Sequence, residues 1–287
     1  MNDQPGLAIA SVIAGMCLLT VCDVLAKTVT QDIDPFSFIL LRSCVAFLPV
    51  FVALSVSRTW RYLKTRRPWG QACRGMAMAM AYTFYLRAIL ELPIADATAV
   101  TMSAPFIVAS LSGIFLGERV TLIRWAAISL GFAGALVIVQ PGSDAFRPAA
   151  LWGIGAAISV AVTALLARRL GMTEPASVTA FYTTIAFALA GLVPILIVPG
   201  TWQMAEGINL WFIVLAGLLA GSAHFLIILA YRKGEASFVV PFEYSSLVVA
   251  VVLGYLVFGD IPTVMVATGM MLIALAGIIL ARRGSRP

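Results

Sequence analysis

The chain has 287 residues, of which 61% are hydrophobic and 11% charged, with a formal net charge of +6 and a mean hydropathy of +1.01. Soluble domains are roughly half apolar and roughly a quarter charged, so this composition excludes one and identifies an integral membrane protein. The positive charge does not mark a nucleic-acid binder, because the basic residues sit in short loops between apolar runs rather than on one soluble face.

Apolar runs long enough to cross ~30 Å of hydrocarbon as helices recur along the whole chain. Ten spans are predicted, at about 7–29, 35–56, 72–90, 97–117, 122–141, 150–169, 176–198, 208–230, 239–258 and 263–281. The first has no basic stretch before it and carries Asp23 and Lys27, so it reads as a retained helix rather than a signal peptide. The four cysteines (Cys17, Cys22, Cys44, Cys73) lack paired or ligand-like spacing and read as packing residues.

The loops alternate in sign. One set holds Arg58, Arg61, Lys64, Arg66, Arg67 and Arg74, then Arg119 and Arg124, Arg168 and Arg169, Arg232 and Lys233, and the tail Arg282, Arg283 and Arg286. The other holds Asp32, Asp34, Glu91, Asp96, Asp144, Glu206 and Asp260, with Arg147 the basic residue among them. The positive-inside bias places the first set, and both termini, in the cytoplasm; the bacterial inner membrane is the expected location.

Sliding the chain on itself by about 140 to 145 residues aligns Asp34-Pro35 with Glu174-Pro175, Leu25-Ala26-Lys27 with Leu166-Ala167-Arg168, and Arg87 with Arg232. The same shift brings Gly117-Glu118 onto Gly259-Asp260 and Ala133-Gly134 onto Ala276-Gly277. These landmarks predict an all-α membrane protein of two five-helix repeats, residues 1–141 and 150–287, joined by a loop at 142–149. Five is odd, so the second repeat enters the membrane inverted, a design for alternating access.

The run Leu86-Arg87-Ala88, Pro93, Ala95, Ala97, Ala104-Pro105 and Leu116-Gly117-Glu118, with Gly131, Gly134 and Pro141-Gly142 after it, resembles the EamA module of the drug/metabolite transporter superfamily. A looser copy runs through Ala230, Pro241, Phe258-Gly259-Asp260 and Ala276-Gly277. The resemblance implies a ten-helix carrier of small organic metabolites that does not hydrolyse ATP. Exporters of hydrophobic or aromatic amino acids belong to that superfamily, so amino-acid export is the expected activity, with uptake or exchange of another amphiphilic metabolite as the alternative. A non-transporting membrane scaffold or receptor is the reading from another class. Asp260, where the second module commonly has Glu, and the Asp23/Lys27 pair depart from the usual pattern.

No phosphate-binding loop, nucleophile elbow or zinc-protease motif occurs, so neither enzymatic activity nor a cofactor or metal is expected. The expected partners are a small-molecule substrate and the lipid bilayer, with the chain a monomer or weak homodimer. The ionisable residues inside spans are the strongest pointers to a site, since each costs ~2.5–3.5 kcal/mol at mid-helix unless it faces the interior. Asp23, Lys27, Arg42 and Arg87 fall in the outer halves of the first three spans. Asp23 and Lys27, four apart, share a face and can pair, and Glu91 is placed to meet Arg42 or Arg87. These form a candidate external gate or a fixed ion-pair set. His224 and Glu243, in the inner halves of the eighth and ninth spans, are candidates for proton coupling.

Candidate cavity residues follow helical spacing: Met78, Tyr82 and Tyr85 on one face of the third span, Thr98, Thr101 and Pro105 on the fourth, and Ser159 and Thr163 on the sixth. Tyr244 and Ser245, just after Pro241, complete the set on the ninth. Pro105 has no N–H, which frees a carbonyl near Thr101 for a substrate or a bend. Gly113/Gly117 and Gly217/Gly221 permit close helix crossings, expected within the monomer.

Overall fold

The protein is described by a computed structural model covering residues 5–65, 67–116, 122–140, 146–170, 175–233, 239 and 242–284. Among the described residues it is all-helical. The first repeat gives α1 (Pro5–Val29), α2 (Pro35–Val56), α3 (Pro68–Glu91), a broken fourth span α4 (Ile94–Thr101) and α5 (Ala104–Leu116), and α6 (Leu122–Val139). The second gives α7 (Ala150–Leu170), α8 (Ala176–Ile197), α9 (Gly207–Lys233), α10 (Ser245–Leu253) continued by a π turn at Gly254–Phe258, and α11 (Val264–Gly284). Glu118, Asp144, Glu174 and Pro241 lie outside the described residues.

Long apolar sequences form these helices because hydrocarbon leaves backbone N–H and C=O groups no partner but their own helix. Helix starts carry local signals: Asp34 accepts a hydrogen bond from the Phe36 N–H at 2.8 Å, and Pro35 and Pro68 occupy first turns where a missing N–H costs nothing. The outward faces stay apolar, with Val56, Leu196, Trp211 and Val264 all exposed, as a lipid-facing surface requires.

Helix neighbours obey a two-fold exchange of the repeats. α1 packs on α9 as α7 packs on α3; α2 packs on α9 as α8 packs on α3; α4 and α5 meet α7 as α10 meets α1. The pairs α2–α8, α4–α10 and α6–α11 map onto themselves. The fourth span breaks at Met102–Ser103 and its counterpart turns at Tyr244, one repeat length away. Pro105 explains the first break, because it returns no N–H to the Thr101 carbonyl, and the Phe106 N–H bonds instead to Ser103 O at 3.0 Å.

Small residues set the closest crossings. A Cβ on Gly217 would lie 2.6 Å from the Arg42 carbonyl, and one on Gly221 would lie 2.7 Å from that of Ala46, so this pair seats α9 on α2 inside the monomer. Gly134 and Gly269 do the same for α6 and α11, each facing the other's backbone carbonyl at 2.8 and 2.7 Å. Gly134→Ala is therefore expected to destabilise the purified protein by about 1–3 kcal/mol through forced helix separation. Gly6→Ala, whose added carbon meets nothing within 4 Å, loses no stability in the same thermal unfolding assay.

Candidate functional site

Six helices from both repeats converge on a polar and aromatic cluster. From α1 and α2 come Asp23 and Arg42, from α3 Tyr82 and Tyr85, and from α4 Thr98; α8 and α9 contribute Phe187 and His224. The Tyr85 hydroxyl donates to Asp23 Oδ2 at 3.1 Å and lies 2.8 Å from Thr98 Oγ1. Since the tyrosine proton goes to the carboxylate, Thr98 donates to Tyr85, giving a relay from α4 through α3 to α1.

Arg42 is 2% exposed. Its guanidinium carbon stands 4.1 Å from the Tyr82 ring centre, 5.5 Å from Phe187 and 6.0 Å from Phe38. Nη1 donates to Cys22 Sγ at 3.5 Å, and Nε is buried without a hydrogen-bond partner. Among the described residues the ion pair is Lys27–Asp260, and none reaches Arg42. A mid-span arginine costs ~2.5–3.5 kcal/mol, and desolvated ring contacts return about 2 kcal/mol each. The rings therefore offset the charge but leave N–H donors unmade, at about 1–3 kcal/mol for each one buried. Tyr82 meets Phe187 edge-on at 5.6 Å, and Phe187 meets the His224 ring at 5.6 Å, while His224 Nδ1 holds the Ala220 carbonyl at 2.8 Å. Met78 packs on the same aromatic group.

A second cluster closes the end of the bundle away from the termini. Lys27 Nζ donates to the Leu92 carbonyl at 2.8 Å, lies 3.7 Å from Asp260 Oδ2 and stands 4.9 Å over the Phe258 ring. A positive φ of 71° at Gly259, a conformation glycine adopts freely, ends the π turn and brings Asp260 back to Lys27. A cavity of about 390 Å³ opens here, lined among others by Lys27, Glu91, Asp96, Arg147 and Asp260.

Several expectations need correction. Lys27 pairs with Asp260 of the other repeat rather than with Asp23, which is held by Tyr85, because the lysine reaches one turn farther toward the bundle end. Glu91 meets neither Arg42 nor Arg87 in an ion pair; Arg42 is turned inward onto rings, and Arg87 lies 5.7 Å over Phe36. The separation of Arg42 from His224 by depth fails, since both touch Phe187. Tyr244 packs against Gly277 on α11, where a Cβ would meet its hydroxyl, so it fills a helix crossing rather than joining the central cluster.

The hydroxyls of Thr101, Ser159 and Thr163 donate to carbonyls four residues back in their own helices, Ala97, Gly155 and Ser159, and none joins the cluster. Pro105 is half-buried at the break. Ser245 Oγ is buried and unpartnered, and the Glu243 carbonyl accepts from Ser246. Sequence reasoning missed Cys22 and Phe187 as members of the cluster and read Asp260 as an acidic loop residue and a landmark of the repeat, without its partner Lys27. An apolar residue among many apolar residues carries no signal, whereas the acids Asp96 and Asp260 at the span ends were visible as such.

A model of the EamA-like transporter family matches residues 6–140 and 147–282. The chain is 31% identical over 225 residues to a riboflavin transporter of Rhizobium johnstonii, covering 78% of this chain and 74% of that protein. It is 26% identical over 243 residues to an S-adenosylmethionine uptake transporter of Rickettsia felis, covering 84% and 80%. A solved crystal structure superposes with a TM-score of 0.69 at 21% identity, covering 96% of this chain and 99% of that one, which is a likeness of fold.

The two tyrosines of α3 are expected to behave differently. Tyr85→Phe strips Asp23 of its hydrogen-bond donor and lowers stability by about 1–3 kcal/mol. Tyr82→Phe removes a buried hydroxyl that has no partner and leaves the unfolding temperature unchanged or raised.

Proposed function

Because the chain belongs to the EamA-like transporter family and so carries a small molecule across a membrane, we propose that its substrate is a metabolite built on a planar aromatic ring with a polar tail, taken up by a secondary mechanism. The observation that carries this reading is the convergence of Tyr82, Tyr85, Phe187 and His224 from both repeats around a few polar groups. Stacking faces suit a flat ring, and Thr98, Tyr85 and Asp23 suit hydroxyls or amines on its tail. Riboflavin and S-adenosylmethionine, named for the two relatives, both join a flat heteroaromatic ring to a hydroxylated chain or sugar. Export of hydrophobic or aromatic amino acids is the second reading, favoured by the same aromatic walls.

Lys27 of the first repeat and Asp260 of the second form a latch across the two halves at the end away from the termini. With the basic loops cytoplasmic, that end faces outward from the inner membrane. A partly solvated pair is worth ~0.2–1 kcal/mol, weak enough to open in each cycle. His224 and Glu243 are the candidates for proton coupling. The glycine faces are used within the chain, which supports a monomer, and the basic residues lie in short loops, which favours no nucleic-acid partner. The charged groups meet between helices instead of facing lipid, which weighs against a scaffold or receptor.

Counterflow in proteoliposomes with labelled riboflavin, S-adenosylmethionine and phenylalanine, with and without a proton gradient, tests the substrate class. Exchange of riboflavin or S-adenosylmethionine is expected; exchange of phenylalanine alone turns the reading to amino-acid export, and no exchange turns it to a scaffold. For the latch, Thr98→Cys is placed in a background without native cysteines and labelled by an impermeant maleimide from outside. Adding Asp260→Asn is expected to speed labelling by up to about fivefold, the factor equivalent to 1 kcal/mol. An unchanged rate excludes the latch.

A further inference from the structure

We propose that Arg42 is the residue that recognises the substrate, through two adjacent acceptor atoms on the edge of its aromatic ring or on a carboxylate attached to it. The inference deepens the planar-ring reading and rests on it. Its ground is the state of one side chain. Arg42 is 2% exposed in the middle of the bundle, with no ion pair among the described residues. Of its donors, Nη1 is used by Cys22 Sγ at 3.5 Å, a long contact to a weak acceptor, and Nε has no partner. Among the described residues Nη2 receives no hydrogen bond acceptor either, so the whole Nε/Nη2 edge stands free. That edge is the geometry that grips two neighbouring acceptors in a plane.

The surroundings fit the same ligand. Tyr82 lies over the guanidinium at 4.1 Å, while Phe187 and Phe38 stand farther off, at 5.5 and 6.0 Å. The Tyr82 hydroxyl is buried and likewise unpartnered. A planar ligand held edge-on by Arg42 would bring an acceptor to the orphaned Nε within an aromatic environment. Lysine at this position would supply charge without the fork, and glutamine would supply neither.

A purely structural arginine held by cation–π contacts makes different predictions. Both readings lose the ring contacts in Arg42→Gln, so its unfolding temperature serves only to show that the variant folds, and substrate and ligand binding separate the two. In counterflow with labelled riboflavin, Arg42→Gln is expected to raise the half-saturating concentration at least tenfold and Arg42→Lys to fall between it and the unaltered protein. Competition separates the chemistry: lumichrome, which keeps the ring carbonyls, should block transport in the unaltered protein far better than phenazine, a three-ring plane without them. The advantage of lumichrome should vanish in Arg42→Gln.

A transport-independent arm uses the purified protein in detergent. Benzoate is expected to raise the unfolding temperature of the unaltered protein and not that of Arg42→Gln, with benzylamine inert on both. Unchanged half-saturation, equal competition by phenazine and lumichrome, or a benzoate shift that survives the substitution each overturns the proposal. Failure of every panel solute to exchange, with the benzoate shift intact and Arg42-dependent, overturns the substrate class proposed above and leaves the acceptor-binding role of Arg42 standing.

Discussion

Backbone polar groups have no water to bond in hydrocarbon, and this one constraint shapes the chain. It makes each span a helix and forces departures from helix to be enclosed by protein. Among the described residues two of the departures lie in symmetry-related places. Met102–Ser103 and Tyr244 interrupt the fourth and ninth spans, and α4 packs against α10 where these spans meet. Pro105 frees the Thr101 carbonyl at the first of these breaks.

Side-chain polarity follows the same logic. Asp23, Arg42 and Lys27 are tolerable in their spans because other helices bring a hydroxyl, rings or a carbonyl to meet them. The partners come from other elements, Tyr82 and Tyr85 on α3, Phe187 on α8, Leu92 at the end of α3 and Asp260 after α10, so the charges tie the bundle together at two levels. At the inner level the partners are aromatic rings and hydroxyls, soft contacts that a ligand can replace. At the outer level they are a carbonyl and a partly exposed carboxylate, a contact that can open to water. The two levels differ chiefly in dielectric surroundings.

Glycine placement makes these distances possible. Gly217 and Gly221 let α2 lie so close to α9 that Arg42 and His224 both reach Phe187 on α8. Any larger residue at either position would move the helices apart and open the aromatic group. The same small-residue spacing at Gly134 and Gly269 binds the last span of one repeat to the last span of the other.

Composition and apolar runs carried the membrane class and the ten spans, and the order of polar landmarks, Asp34-Pro35 against Glu174-Pro175 and Gly117-Glu118 against Gly259-Asp260, carried the two inverted repeats. These are properties of spacing and hydropathy, which a linear chain carries openly. The face formed by Met78, Tyr82 and Tyr85 was legible for the same reason, since helical periodicity is local. Only the tertiary structure decided who meets whom. Lys27 and Asp23 sit four apart, yet their partners, Asp260 and Tyr85, lie 233 and 62 positions away. Phe187 could not be told from its apolar neighbours, and Arg42 looked like an outer gate charge, because burial and pairing depend on which helices cross. In a chain this apolar, sequence fixes where helices run, while side-chain partnership is settled by helix contacts that leave no periodic trace.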